Sequence, residues 1–304
     1  MSVTPDVSVT PGASDTPIPY ESLGRPIPGP GALTSDWWRF WHLTYNIAVM
    51  QWKLRFFGSA LGYLWQLVRP LLLFTVLYVF FTQVSHVSRD AGPSGRYYGA
   101  QLLGSIVLYT FFAECTMNSV RSVVDNETLV RKIQFPRLVI PISNVLLALF
   151  NLSLNLVVVF IFALIEGVRP MLSWLELPLI VVLLAVLAAG LAMLLSALFV
   201  YFRDIQPIWE VINQVIFYAA PVIIPFPLVQ KNLSPTLVHV YLLNPISTAL
   251  QQFRHAIITH ATPSVGSALG SQIALLEPIA IAVVIFALGF VVFKRTAPHV
   301  AEDL

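Results

Sequence analysis

The stretch LPLIVVLLAVLAAGLAMLLSALFVY, residues 177–201, runs for 25 residues without a charged side chain. An α-helix needs about 20 predominantly apolar residues to cross the hydrocarbon core of a bilayer. The stretch therefore predicts a transmembrane helix, and it decides the class of fold.

The composition of the whole chain agrees with that prediction. The 304 residues are 57% hydrophobic and only 11% charged, whereas a typical soluble domain carries about 25% charged residues. The formal net charge of +2 is too small to indicate nucleic-acid binding. We therefore expect an all-α integral membrane protein.

Five further stretches resemble membrane spans, so six are predicted in all, at residues 64–84, 97–119, 138–165, 177–201, 207–226 and 272–293. Pro221, Pro225 and Pro227 are expected to break the fifth before it crosses fully. The apolar pieces between 226 and 262 are too short to span. They predict short re-entrant or periplasmic helices, whose irregular backbone must be buried or line a cavity.

The regions outside the spans have distinct compositions. Residues 1–34 are rich in Pro, Ser, Thr and Gly and predict a disordered tail without signal-peptide features. Residues 35–58 predict an amphipathic helix in the membrane interface, or one packed on a neighbouring domain. The six-span domain would then cover 59–295, with a tail at 296–304. The two predicted stripes of the amphipathic helix are Trp37, Trp41, Tyr45, Ala48 and Trp52, and Arg39, His42, Asn46 and Lys53.

The basic residues predict how the chain is oriented. Six spans place both termini on one side, and 12 of the 17 Lys and Arg residues fall on that side. Cytoplasmic loops carry the excess of Lys and Arg. Both termini, and the loop between the second and third spans, are therefore expected in the cytoplasm.

That loop, NETLVRKIQFPR at residues 126–137, mixes charged and apolar side chains. Leu129 and Ile133 share a helical face, and Pro136 ends a helix at Phe135. The apolar content favours a short amphipathic helix that binds another protein. The alternative is a plain loop that holds positive charge inside.

Several catalytic and metal-binding motifs are missing from the sequence. It contains no GxxxxGK[ST] phosphate loop, HExxH or CxxC motif, or plausible Ser-His-Asp grouping. We expect no catalytic residues and no metal site, and we interpret His239, His255 and His260 as ordinary polar residues. Cys115 has no second cysteine to pair with.

Four motifs in order resemble one family. They are LRFFGSALGYLWQLVRP at 54–70, the pattern N..L..K..FPR...P from Asn126 to Pro141, YFRDI at 201–205, and APVIIP at 220–225 followed by NPISTALQQFR at 244–254. Over residues 37–295 the chain resembles ABC-2 type transporter permeases, and within them the polysaccharide-exporting branch (O-antigen, galactan and teichoic acid). Phe56 stands where that branch usually has Tyr, and Ala220 where Ser is frequent.

The resemblance implies a function and a set of partners. The chain would be the permease subunit of an ABC exporter in the bacterial plasma membrane, working as a homodimer. Two copies of a separate ATPase subunit would bind ATP and Mg, and the cargo would be a polyprenyl-diphosphate-linked glycan. Broader possibilities are an ABC-2 exporter of a lipid or drug, an integral membrane glycosyltransferase or acyltransferase, and a secondary transporter.

The resemblance also implies roles for particular positions. The ATPase-coupling residues would be Asn126, Leu129, Lys132, Ile133, Phe135, Pro136 and Arg137. The cytoplasmic entrance or gate would contain Ser59, Leu61, Gly62, Trp65, Arg203 and Asp204. The periplasmic gate would contain Pro221, Pro225, Asn244, Pro245 and Arg254.

Two sets of residues inside the spans have alternative interpretations. Glu114 either lines a polar cavity or packs against another helix. Aromatic residues on two helical faces either border a glycan path, beside Ser105, or fill helix contacts and lipid belts. These aromatics are Phe74, Tyr78, Phe81, Tyr98, Tyr109 and Phe112.

Overall fold

The computed structural model describes residues 37–56, 62–126, 136–271 and 273–297, and the regular structure in these ranges is helical. The predicted tail at 1–34 and residues 298–304 lie outside them. The α-helices are α1 (Trp37–Phe56), α2 (Gly62–Val79), α3 (Val87–Asp90), α4 (Tyr98–Val120), α5 (Ser122–Asp125), α6 (Val139–Ile165), α7 (Leu177–Tyr201), α8 (Ile205–Ala219), α9 (Phe226–Asn232), α10 (Pro235–Leu243), α11 (Pro245–Phe253), α12 (Val265–Ala268) and α13 (Leu276–Thr296).

Shorter helical segments extend several of these helices. Phe80–Val84 continues α2 and Arg254–Ile258 continues α11, both with π-helical turns. Short 3₁₀ segments precede α4, α7 and α13, at Gly92–Tyr97, Leu172–Glu176 and Ile273–Leu275.

Five helical segments of the described chain are long and apolar enough to cross a membrane. They are Leu64–Val84, Gly92–Val120, Val139–Ile165, Leu172–Tyr201 and Ile273–Thr296. Five of the six predicted spans are thus confirmed to within several residues at each end, because apolar length is a local property that the sequence displays directly.

The fifth predicted span, 207–226, does not form a full-length transmembrane helix. Its helix, α8, has only 15 residues and is about 22 Å long, shorter than the hydrocarbon core of about 30 Å. Ala220 is extended because the residue before a proline disfavours the helical conformation. Beyond it, the backbone oxygen of Ile223 accepts a hydrogen bond of 3.0 Å from Tyr98, at the start of α4. The helix thus ends before Pro221, and turns and bends follow it to residue 225, so the predicted break of this span is confirmed.

The central helix of the bundle is α4, most of whose residues are buried. Gly104 lets the ring of Phe253 approach its backbone, since a Cβ there would lie 2.5 Å from the ring's Cζ. The α7–α13 pair is equally close, because a Cβ on Gly190 would lie 2.6 Å from Cα of Phe286, and one on Gly289 would overlap Gly190. Small residues permit such packing between membrane helices.

One hydrophobic cluster brings both ends of the described chain together. It joins Phe40 of α1 and Leu138 before α6 with Phe293 and Ala297 at the end of α13. The amphipathic helix, the 136–138 corner and the end of α13 therefore lie at the same end of the bundle, which we call the proximal end. The other end, where α4 begins and α6 ends, is the distal end.

The predicted stripes of α1 are partly wrong. Phe40, Thr44 and Ala48 are buried at i, i+4 and i+8, and α1 packs against α6. Of the predicted aromatic stripe, Trp37 is 64% exposed and Tyr45 54% exposed, whereas Ala48 is buried. The small residues Thr44 and Ala48 permit close packing on α6, which leaves the larger aromatic rings outside.

Candidate functional site

A groove runs along α4, first beside α1 and α6 and then between α2 and α8. It consists of three adjoining cavities of about 250, 370 and 390 Å³. Arg55 and Asn118 line both the first and the second, and Tyr109 and Phe217 line both the second and the third. We call it the α4 groove. It begins at the proximal end beside Asn126 and continues to Tyr218.

The buried carboxylate of the groove belongs to Glu114, whose side chain is 13% exposed. It pairs with Arg55 of α1 and accepts a hydrogen bond of 2.8 Å from Asn151 of α6. A longer bond of 3.4 Å comes from Gln66 of α2. Glu114 both lines the cavity and bonds to three other helices. The two predicted alternatives, lining a polar cavity and packing against another helix, are therefore both met.

A second polar group lies farther along the groove. The Tyr109 hydroxyl donates to oxygens of Asn213 on α8, and the Asn213 amide donates to Thr116 of α4 at 3.4 Å. The ring of Tyr109 packs edge-on against Phe217 at 5.1 Å between centroids. These contacts fix α8 against α4 and place aromatic rings beside polar atoms in the groove wall.

The other predicted path aromatics lie elsewhere. Phe74, Tyr98 and Phe112 are buried in the core, while Tyr78 and Phe81 are partly buried against it. Phe74 stacks on Tyr78 at 5.3 Å, and Tyr78 on Tyr98 at 6.4 Å. Of the six predicted path aromatics, Tyr109 lines the α4 groove. That a glycan passes beside it stays a prediction.

At the distal end, Arg254 is buried with 1% exposure. Its guanidinium donates to the backbone oxygens of Pro221, Val222 and Ile224, the last two at 3.0 Å. Its Nε donates to Ser105 at 3.2 Å. These acceptors are neutral, and among the described residues no carboxylate pairs with Arg254. We call this arrangement the Arg254 clamp.

The clamp contains two of the five residues of the predicted periplasmic gate, Arg254 and Pro221. Burial lowers the pKa of Arg254 to about 10, so it is charged at neutral pH. Pro225 precedes α9, while Asn244 caps α11 by accepting from Ile246 at 3.0 Å, with Pro245 at the first helical turn. Ser105, predicted beside the path aromatics, is instead a clamp acceptor.

The predicted coupling residues are only partly described. Leu129, Lys132, Ile133 and Phe135 lie outside the described residues. Asn126 donates to the Ser122 carbonyl at 2.7 Å, which ends α5 locally, and Pro136 is partly buried. Arg137 is 3% exposed, and burial lowers its pKa.

The predicted entrance residues are dispersed. Ser59 and Leu61 lie outside the described residues, and Gly62 begins α2. Trp65 is 61% exposed. Arg203 and Asp204 are exposed at the bend between α7 and α8, and the Asp204 side chain makes no capping hydrogen bond to α8.

The three distal histidines do not form a metal site. His239 contacts Glu277 at 2.6 Å, whereas the rings of His255 and His260 lie 4.7 Å apart. In the described part of the chain, no group of three or more His, Cys, Asp or Glu side chains could hold a metal ion.

The family of the chain follows from comparison with known proteins. The family described as ABC-2 type transporter matches residues 43–258, most of the chain and all of the α4 groove. The chain belongs to the ABC-2 type transporter family. Similar relatives are named as permeases of O-antigen export systems. Two O-antigen export system permease proteins RfbA of Klebsiella pneumoniae are each 28% identical over 203 residues, 66% of this chain and 74% of the relative.

A more distant relative has the same name. The O-antigen export system permease protein RfbA of Myxococcus xanthus is 25% identical over 231 residues, 76% of this ABC-2 chain and 86% of the relative. The resemblance seen in the sequence motifs is thus confirmed, and this ABC-2 chain is a multi-pass membrane protein.

Sequence reasoning missed several groove residues of this ABC-2 chain. Arg55, Asn151 and Asn213 gave no distinctive signal, although an amide inside an apolar run could have marked the last two. Arg254 was predicted as a gate residue on the outer side, but its complete burial depends on contacts with residues far away in the chain.

Proposed function

We propose that this ABC-2 chain is the membrane subunit of an ATP-driven exporter of a lipid-linked polysaccharide. The observation that carries the proposal is the α4 groove, which is polar at its proximal end and aromatic farther along. Sugars present C–H faces that stack on aromatic rings, and hydroxyls that need polar partners. Family membership and the names of the relatives support the same function.

Two copies of the chain would enclose the path. The groove is flanked by α2 and α8, which expose large apolar side chains such as Val76 (67% exposed) and Val211 (63%). One chain therefore supplies only part of a wall. A second copy that packs on these faces would complete it, with membrane lipid around the rest of the bundle.

A separate ATPase would supply the energy. The 304 residues contain no phosphate-loop motif, so ATP and Mg would be bound by two copies of a partner subunit. Asn126 and Arg137 flank the predicted coupling helix at the proximal end, next to α1 and the end of α13. Apolar anchors in that helix would grip the partner, and its basic residues would orient it.

The proximal end would face the cytoplasm, as the basic residues predict. Single cysteines at the exposed Arg89 and Arg121 test this in a Cys115→Ala background, since these arginines lie near opposite ends of the bundle. In intact cells, an impermeant thiol reagent should label Arg89→Cys and leave Arg121→Cys unlabelled. The opposite pattern would overturn the orientation and the position of the coupling helix.

Export itself is tested in cells that lack their own copy of the permease. Tyr109→Ala and Glu114→Gln should each reduce surface polymer at least about tenfold, because both residues line the groove and fix its helices. Tyr201→Ala is the matched control, since Tyr201 is an exposed aromatic at the end of α7, outside the groove. Copurification of the ATPase should be unchanged in all three variants.

Two outcomes would count against the proposal. Normal surface polymer in both groove variants would remove the groove from the path. ATP-dependent extrusion of a lipid or drug, with no dependence of surface polymer on the chain, would favour an ABC-2 exporter of another cargo.

A further inference from the structure

A cavity of about 340 Å³ at the distal end lies apart from the α4 groove. Its wall includes Arg96, Tyr97, Arg169, Thr259 and His260. Its volume falls in the range of small-molecule sites, about 300–1,000 Å³. Two exposed arginines, a histidine, a tyrosine and a threonine thus line one opening, which we call the distal basic cavity.

Three chain segments build this cavity, and hydrogen bonds hold them together. Ser94 donates to the Ala261 carbonyl at 3.0 Å, which joins the segment before α4 to the one after α11. Trp174 donates to the Ile257 carbonyl at 2.9 Å, and Ser173 to the Ala256 carbonyl at 2.5 Å. The walls are therefore fixed by contacts between residues distant in sequence.

The positive charges of the cavity have no acidic partners. Among the residues that the structure describes, neither Arg96 nor Arg169 forms an ion pair. The nearest carboxylate in sequence, Glu166, instead accepts a hydrogen bond of 2.9 Å from the Ala100 backbone. Burial raises the pKa of Glu166, which weakens it further as a counterion.

The side chains in the wall suit one class of anion. The planar guanidinium of arginine binds phosphate oxygens with paired hydrogen bonds. The Arg96 guanidinium lies 5.3 Å from the centre of the Tyr97 ring, which restrains it. His260 lies 3.2 Å from Ser173 through Nε2, which holds its imidazole in the wall.

We propose that the distal basic cavity binds a phosphate or phosphate-ester anion through Arg96 and Arg169. The anion could come from the headgroup of an anionic phospholipid or from a free phosphate compound, and both sources offer the same oxygens. This site is separate from the groove, and its test does not depend on the exported cargo.

The experiment uses the full chain in phosphatidylcholine nanodiscs. One arm adds phosphatidylglycerol and measures the lipid retained per protein by native mass spectrometry. A second arm titrates inorganic diphosphate by calorimetry. Wild type is compared with the double variant Arg96→Gln/Arg169→Gln and with Arg89→Gln, whose arginine is exposed at the same end but outside the cavity.

We expect wild type to bind at least one probe, and the double variant to bind it at least about tenfold more weakly. Arg89→Gln should bind like wild type, and thermal melting should show that all three proteins fold. Loss confined to phosphatidylglycerol identifies a lipid headgroup, and loss confined to diphosphate identifies a free phosphate compound. Absence of binding to wild type, equal binding by the double variant, or an equal loss in Arg89→Gln would overturn the proposal.

Discussion

Replacing Arg254 with methionine tests the clamp at the distal end. Methionine keeps a long unbranched side chain but donates no hydrogen bond. The backbone oxygens of Pro221, Val222 and Ile224 would each lose a donor, as would Ser105. Tyr98 would still donate to the Ile223 carbonyl, but the other three carbonyls lose their donor, so the segment 220–225 should open more often.

The magnitude follows from two opposing terms. Each buried carbonyl left without a donor costs about 1–3 kcal/mol, and three lose theirs. Removing the guanidinium also removes the unfavourable free energy of desolvating a buried charge, which is several kcal/mol and stabilises the variant. We expect a net loss of about 3 kcal/mol in the local stability of the segment, or about a 100-fold larger open population.

The assay is thiol labelling of Val222→Cys in a Cys115→Ala background. Val222 is fully buried, so its replacement reacts when the segment opens. Labelling should be about 100-fold faster with Arg254→Met added. Arg254→Lys should restore little of the protection from labelling, because an ammonium group cannot match the fork of donors on a guanidinium.

Lys231→Met is the matched control, since Lys231 is an exposed basic residue of α9 at the same end. Its labelling rate should equal that of the parent. If Arg254→Met also labels at the parent rate, the carbonyl contacts do not hold the segment closed, and the clamp would be refuted.

Two further predictions concern assembly and packing. Ile133→Asp should weaken binding of the ATPase by about 1–4 kcal/mol and so reduce its copurification. Gln134→Asp adds the same charge without removing an apolar anchor, so it should bind the ATPase nearly normally. Equal loss in both variants would leave the loop as a charge anchor. Gly289→Leu should lower the free energy of unfolding by more than about 3 kcal/mol, because α7 passes directly beside Gly289. Ala287→Leu lies on the exposed face of α13 and should change that free energy by less than about 0.5 kcal/mol. Equal melting temperatures of the two variants would contradict the close approach of α7 and α13.

The candidate site could be predicted from the sequence only in part. Glu114 was detectable because a carboxylate inside an apolar run is costly and needs a partner. Its partner Arg55 is 59 residues away in the chain, and no local pattern connects the two. The path aromatics were predicted from helical spacing, which identifies a shared face of one helix without showing what packs on it. Tyr109 faces the groove, whereas Phe112 is buried in the core.

The sequence by itself determined the membrane class, five of the spans and the position of the polar loop between the second and third. Each depends on the length and polarity of a continuous segment, because these local properties decide whether the segment enters the bilayer. Only the tertiary structure decided that Glu114 joins four helices and that Arg254 is buried among carbonyls. These features depend on contacts between segments up to 149 residues apart, and such contacts form only when the helices pack.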